Sequence, residues 1–340
     1  MNIIEKEHNY YFYNYNVIST SSANIFVNTI NSKSYDLGTY NKTLIIVHDF
    51  MYKHDYMFSL INEIIKSNTR VIVFDLTGHN CVSELYKKRL VNVSDAGILT
   101  SNSFSADVNS IDEIVELINV NKNYRLDTKF FTSAKQNYYD FVKFNDISLL
   151  SKILYDYDLS WNHNENIFIL SHSVGSLSVF SNLITSLGSW NNKEENFIKG
   201  VISLSPNLKD LRFQNKLFYN LLSFFWPGKL VNYDLKVSEG VEGLIKNDSM
   251  NLCSARSIKN IIGIQDLIVS NAKNITVPSL FFHAKDDQIS SYDDSLKFFN
   301  ELNTNEKQFI SFDKGGHNLF LGDKSSEVIN KINSWMIEKL

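Results

Sequence analysis

Ser173 lies in the pentapeptide Ser171-His172-Ser173-Val174-Gly175, after the apolar run Ile167-Phe168-Ile169-Leu170 and before a helix-like stretch from Leu177 to Leu187. A strand, a sharp turn with a central serine and a helix together form a layout that exposes a hydroxyl at a strand end as a nucleophile. Such a turn strains the backbone of the serine. It leaves the next amide, that of Val174, to stabilise an oxyanion. The usual pattern is G-x-S-x-G, and Ser171 stands at its first glycine. Serine is small enough for the close approach of strand and helix required there. An ordinary strand-to-helix turn would read the same way, so the residues that could work with Ser173 have to decide.

A serine hydroxyl is a poor nucleophile unless a histidine takes its proton and a carboxylate orients that histidine. Around an elbow of this kind the chain order is serine, acid, histidine. After Ser173 there are only two histidines, His283 and His317. His317 follows Asp313-Lys314-Gly315-Gly316, just past the last apolar run, where a glycine-flanked loop can turn its ring back toward the serine. The acid is Asp286 or Asp287, both delivered by the run Pro278 to His283. The residues alone leave the choice between them open. A second oxyanion donor belongs in the loop after the first central strand, Val47-His48-Asp49-Phe50, and the Phe50 amide is the candidate.

Elements must bring these residues together. Short apolar runs at Thr43–Val47, Val71–Phe74, Ile167–Leu170, Val201–Leu204, Ser279–Phe282 and Phe309–Phe312 read as buried parallel strands. Helical patterns follow or precede them at Met57–Lys66, Leu177–Leu187, Tyr292–Leu302 and Ser326–Lys339. Alternation of this kind predicts an α/β fold: a doubly wound, mainly parallel sheet. The aromatic and β-branched segment Tyr10–Ile30 predicts an antiparallel hairpin at the sheet edge. Two stretches break the alternation. Residues 91–130 show no clear period and read as an insertion into a core of residues 1–206 and 275–340. Residues 207–274 read as a helical cap. Within the cap, Phe218, Leu221, Leu222, Phe225 and Trp226 make a broad apolar helical face. That face either packs into the core or serves as a lid whose inner side contacts an acyl chain.

The net charge of −4 offers no basic face for nucleic acid and no polybasic membrane patch. The two cysteines, Cys81 and Cys253, form no metal-ligand pattern. Met1–His8 lacks the basic start and apolar core of a signal peptide, and no apolar run approaches the ~20 residues of a bilayer span. A cytoplasmic protein is the expectation.

Several ordered motifs together resemble the α/β-hydrolase superfamily, in particular its monoacylglycerol lipase and lysophospholipase branch of capped serine hydrolases. Ile45-Ile46-Val47-His48-Asp49-Phe50 is similar to a strand followed by H-G-x, and Phe74 to Asn80 to D-x-x-G-H-G. Ser171 to Gly175 is similar to G-H-S-x-G, Val277 to Asp287 to P-x-L-x-x-H-G-x-x-D, and Gly315-Gly316-His317 to G-G-H. Four glycines of these motifs are Asp49, Asn80, Ser171 and Ala284 here. The resemblance implies Ser173 as nucleophile, His317 as base, Asp287 as acid, and the Phe50 and Val174 amides as oxyanion donors. It implies structural roles for His48, His79 and His172. It also implies hydrolysis of carboxylic esters of single-chain lipids, without metal or organic cofactor and with transient membrane contact through the cap. A thioesterase or acyltransferase would use the same residues. A non-catalytic binding module would keep the fold alone. Asp49 bears on that choice, since a carboxylate beside an oxyanion site opposes the charge that develops there unless it points away and binds neighbouring backbone.

Overall fold

The computed structural model describes residues 11–19, 24–32, 42–50, 54–74, 76, 99, 101–120, 166–185, 198–232 and 252–340. In chain order the strands are β1 (Tyr11–Ser19), β2 (Asn24–Ser32), β3 (Lys42–Val47), β4 (Thr69–Phe74), β5 (Asn166–His172), β6 (Ile198–Leu204), β7 (Leu230–Asn232), β8 (Leu252–Ser254), β9 (Ser279–Ala284) and β10 (Lys307–Phe312). The α-helices are α1 (Phe58–Ile64), α2 (Ser101–Val120), α3 (Gly175–Thr185), α4 (Lys216–Phe225), α5 (Ala255–Ser270), α6 (Tyr292–Glu301) and α7 (Ser325–Glu338).

Eight strands form one sheet in the order β1-β2-β4-β3-β5-β6-β9-β10. The six from β4 to β10 run parallel, and β1 and β2 add an antiparallel hairpin at one edge. Every apolar run named above lies within one of the six parallel strands. β3 and β5, central in the order, are buried almost throughout, as strands covered on both faces must be.

The alternation of side chains sorts the packing. Ser171, Ser203 and Phe281 share one face through the register of β5, β6 and β9. That face meets α3 and α6, where Phe180 stacks on Phe281 at 5.7 Å and meets Phe298 at 5.0 Å. Phe168 and Gly200 point the other way, onto α7. Trp335 of α7 contacts Phe168 edge-on at 6.1 Å and is fully buried. A side chain at Gly200 would strike the Trp335 ring at 2.2 Å, so glycine is required there. Emptying the Trp335 site by alanine would cost ~3–5 kcal/mol.

Residues 91–130 differ from the sequence reading. Their described part contains α2, and Val108, Ile111, Ile114 and Val115 of that helix are buried, with Phe104 against the same core. Three- and four-residue spacing was present, but as a narrow stripe among polar neighbours. Asn182 of α3 ties the helix down by donating to Val108 O at 3.1 Å and Asp112 Oδ1 at 2.7 Å. The Asp75 and Gly78-His79-Asn80 matches lie outside the described residues, as do residues 233–251 of the expected cap.

Among the described residues no helix is long and apolar enough to cross a membrane. The α4 helix is set apart from the core. Its N-cap Asn215 accepts from the Phe218 amide, and Ser223 is its only buried residue. Phe218, Leu221, Phe225 and Trp226 are exposed and Leu222 is half-buried. Neighbouring α5 instead buries Ile258, Ile261, Ile262 and Ile268.

Candidate active site

β5 delivers Ser173 one residue past its end at His172. Ser173 has φ of 53°, in the left-handed region that a non-glycine residue occupies only under constraint. Its backbone is held on both sides. Ser173 N donates to Leu204 O at 3.1 Å, and Ser173 O accepts from Ser176 N and Asn207 N, each at 3.1 Å. The helix start lies so close to β3 that a Cβ at Gly175 would come within 2.3 Å of His48 O. Ser171 fits where a glycine is usual because its hydroxyl is satisfied: it accepts from Ser176 Oγ at 3.0 Å and lies 3.3 Å from Ser203 Oγ.

Asp287 and His317, the expected acid and histidine, lie in the loops after β9 and β10. Asp287 Oδ2 accepts from His317 Nδ1 at 2.8 Å and from His283 Nε2 at 3.1 Å, while Oδ1 accepts from the amides of Ile289 at 2.8 Å and Ser290 at 3.1 Å. Burial alone would raise this carboxyl. The His317 charge and the hydrogen bonds from His283 and His317 outweigh it and hold Asp287 well below the usual carboxylate range. Asp286 points elsewhere and holds the histidine loop. Its Oδ1 accepts from the amides of Gly315 at 3.1 Å and Gly316 at 2.9 Å. Both glycines have positive φ, at 154° and 62°, which shapes the turn before His317. The two adjacent aspartates thus divide the work, one orienting the His317 ring and the other its backbone.

His317 is buried. Burial by itself would lower its pKa, but Asp287, by charge and hydrogen bond, and the more distant charge of Asp49 raise it above the ordinary value. With Nδ1 donating to Asp287, Nε2 is the basic nitrogen. Neither His317 Nε2 nor Ser173 Oγ has a hydrogen-bond partner, and both are buried. Catalytic hydrogen bonds are often unmade before substrate arrives.

The Val174 amide departs from the sequence expectation. It is not left open for an oxyanion: Val174 N donates to Asp49 Oδ1 at 3.0 Å. Asp49 is 3% exposed, so its carboxylate has little water to turn to, and this amide at the elbow receives it. Burial pushes the Asp49 carboxyl up to about 6, against the pull of His317, the Val174 amide and Arg212. Ser173 Oγ lies close enough to help hold that charge but does not meet hydrogen-bond geometry. One carboxylate oxygen of Asp49 and one ring nitrogen each of His172 and His317 lie within 4.8 Å of one another. Phe50, the other expected donor, is buried directly after Asp49.

Residues that carried no catalytic signal in the sequence frame the site. Asp49 N donates to Tyr56 Oη at 3.1 Å, and Tyr56 Oη lies 2.7 Å from His172 Nδ1. His172 Nε2 is 3.3 Å from the His317 carbonyl. The carbonyl can only accept, so Nε2 carries the proton and Tyr56 donates to Nδ1. Burial lowers the His172 pKa well below normal, which keeps this ring neutral. His48 Nε2 accepts from Leu76 N at 3.1 Å, so its Nδ1 donates to Asp49 O at 2.8 Å. On the side of β6, Arg212 grips Asp210 with Nε at 2.8 Å and an Nη at 2.6 Å, both side chains buried. Asn207 donates to the same Asp210 at 3.0 Å. Nothing in the spacing of Asn207, Asp210 and Arg212 marks them beforehand. The position of His172 within the elbow motif is the one signal that could have found the Tyr56 link.

The chain is similar in structure to a monoacylglycerol lipase of Paleococcus ferrophilus, with a TM-score of 0.63 and 18% identity over 93% of this chain and 99% of that one. A soluble variant of Saccharomyces cerevisiae monoglyceride lipase, solved with a substrate analogue, gives 0.63 and 16% over 95% and 94%. An esterase of Exiguobacterium antarcticum gives 0.55 and 13% over 95% and 99%. These likenesses establish the α/β-hydrolase fold. No curated protein sequence matches significantly. A family model described as serine aminopeptidase, S33, matches residues 144–325, more than half of the chain and the whole stretch from the elbow to His317. The chain belongs to the serine aminopeptidase S33 family of α/β-hydrolases.

Proposed function

We propose that this protein is a serine hydrolase of carboxylic esters, with Ser173 as nucleophile, His317 as general base and Asp287 as the acid that orients it. The observation that carries the reading is the pair of unpartnered buried atoms, Ser173 Oγ and His317 Nε2, beside an Asp287–His317 hydrogen bond of 2.8 Å. In the reaction Ser173 Oγ attacks the ester carbonyl as its proton passes to Nε2. The carbonyl π electrons move onto oxygen, which the Phe50 amide receives together with the Val174 amide once Asp49 Oδ1 has released it. Collapse expels the alcohol, protonated by His317. Water, activated by the same nitrogen, then releases the acid. Asp287 stays ionised and stabilises the imidazolium throughout.

Esters of single-chain lipids are the proposed substrates, since relatives of this fold include monoacylglycerol lipases and α4 presents Phe218, Leu221, Phe225 and Trp226 beyond the core. In this reading residues 207–274 act as a cap over the entrance, and the α4 face meets the acyl chain or a membrane surface. A fluorophosphonate should label the wild type and not Ser173→Ala. Equal labelling of both would sink the proposal. A panel of esters of increasing chain length should show a preference for long chains, and a preference for acetyl esters would remove the lipid assignment.

A second reading is favoured by one observation, the Asp49 carboxylate on the Val174 amide. In that reading the fold is retained as a non-catalytic binding module. It requires saturable ligand binding without turnover of any ester in the panel.

A further inference from the structure

The Asp49 carboxylate lies where a reaction on Ser173 would need an open donor. A tetrahedral intermediate places its oxyanion on the amide that follows the nucleophile, here that of Val174. That amide has one hydrogen, and Asp49 Oδ1 holds it at 3.0 Å. The carboxylate is anchored from behind: its own amide donates to Tyr56 Oη and its carbonyl accepts from His48 Nδ1. It is therefore a placed group and not a surface side chain that has drifted inward. An oxyanion and an ionised carboxylate cannot share this site, because they compete for one hydrogen and repel each other in a buried setting.

We infer that the ionised Asp49 carboxylate is the resident occupant of the oxyanion site, and that acyl transfer runs only through molecules in which Asp49 carries a proton and releases the Val174 amide. The inference rests on Ser173 being the nucleophile. A proton from solvent neutralises Asp49, the weakened acceptor gives up the amide, and the substrate carbonyl takes its place. Attack then proceeds with the Ser173 proton going to His317 Nε2 and the carbonyl π electrons to the oxygen on Val174 N. The charged and titratable groups around Asp49 are His317 on the loop after β10, His172 on β5 and Arg212 beyond β6. Asp287 stands behind His317, and Asp210 is paired to Arg212. The competent form needs a neutral His317 together with a protonated Asp49, the reverse of the ion pair that the two would otherwise form. The pair therefore titrates as a unit, and the wild-type profile should be a narrow bell.

The test measures kcat/KM on a p-nitrophenyl ester from pH ~5 to ~9 for wild type, Asp49→Asn, Asp49→Ala and Ser173→Ala, with melting curves for each. Asn is the neutral isostere, and Ala removes the occupant altogether. Both Asp49 variants should lose the alkaline fall and rise to a plateau. With a carboxyl of about 6, both should exceed the wild type by ~100-fold near pH ~8. Their acid limb should report His317 alone and lie at the same or a higher pH than in the wild type, where Asp49 is the group that loses the first proton. A wild-type profile that already reaches a plateau above pH ~8, or folded Asp49 variants equal to or slower than wild type there, would overturn the inference. Fluorophosphonate labelling of each protein separates the two possible failures. Wild type labelled at Ser173 with no gain in the Asp49 variants refutes the role of Asp49 alone. No labelling in any of them refutes the nucleophile and this inference together.

Discussion

Asp287 and Asp49 are the same residue type, both almost fully buried, and they flank the same histidine. Asp287 accepts from two ring nitrogens and two backbone amides. Asp49 accepts from the Val174 amide. Burial pushes both carboxyls up, yet Asp287 ends well below its ordinary value and Asp49 ends near 6. With burial raising both, the number and charge of the donors separate the two protonation states. On the Asp287 side the donors are built in and the carboxylate is fixed as an anion. On the Asp49 side the supply is thin enough for the charge to be lost within the physiological range.

The largest effect should come from weakening the well-supplied side. Asp287→Asn removes the acceptor that fixes the His317 tautomer, and kcat should fall ~10⁴-fold with the fold intact by circular dichroism. A loss under tenfold would mean that Asp287 does not orient the base.

Stability should separate the two carboxylates by sign. The folded protein gives up the Asp287 proton more readily than the unfolded chain, so this residue stabilises above ~pH 4 and that support fades as pH drops below it. Asp49 acts oppositely. Between ~pH 4 and 6 the folded state keeps a proton that the unfolded chain has lost, so stability declines as pH rises through this window. Asp49→Asn should remove that decline and gain up to ~3 kcal/mol above pH ~6, read from denaturant midpoints at several pH values. Equal slopes for wild type and variant between pH ~4 and ~6 would show that Asp49 is not held protonated in the fold.

A smaller change tests how the donors share the load. His283→Ala takes one of four donors from Asp287 while leaving His317 in place. A charge-assisted hydrogen bond is worth ~1.5–3 kcal/mol, so a kcat loss of ~10-fold with unchanged KM is expected. Smaller still, Tyr56→Phe deletes the hydroxyl between Asp49 N and His172, with an expected destabilisation of ~1 kcal/mol by thermal melt. No change in melting temperature would mean that the link bears no weight.

The parallel strands were legible because buried strands write themselves as short apolar runs, and each run lies inside a strand. Ser173, Asp287 and His317 stand out in the sequence through chain order and the glycines beside them, and the structure joins Asp287 to His317 by a hydrogen bond. The helix Ser101–Val120 was less legible, since among its described side chains a narrow stripe of Phe104, Ile111, Ile114 and Val115 packs into the core. The rotamer of Asp49 was beyond sequence. Whether a carboxylate turns toward an elbow amide or away depends on partners far along the chain, including Val174 and Arg212. The same holds for His283, whose value to Asp287 rests on where β9 ends relative to the following turn.

The chain of contacts from Asp49 N through Tyr56 and His172 to the His317 carbonyl has a mechanical meaning. The Tyr56 hydroxyl and the His172 ring act as a strut between the loop after β3 and the loop after β10. In the proposed hydrolase that strut, and not residues 207–274, would set the distance between the loop that carries Asp49 and the loop that carries His317. In the proposed hydrolase, changes within residues 207–274 would then alter substrate choice and leave this spacing as it is.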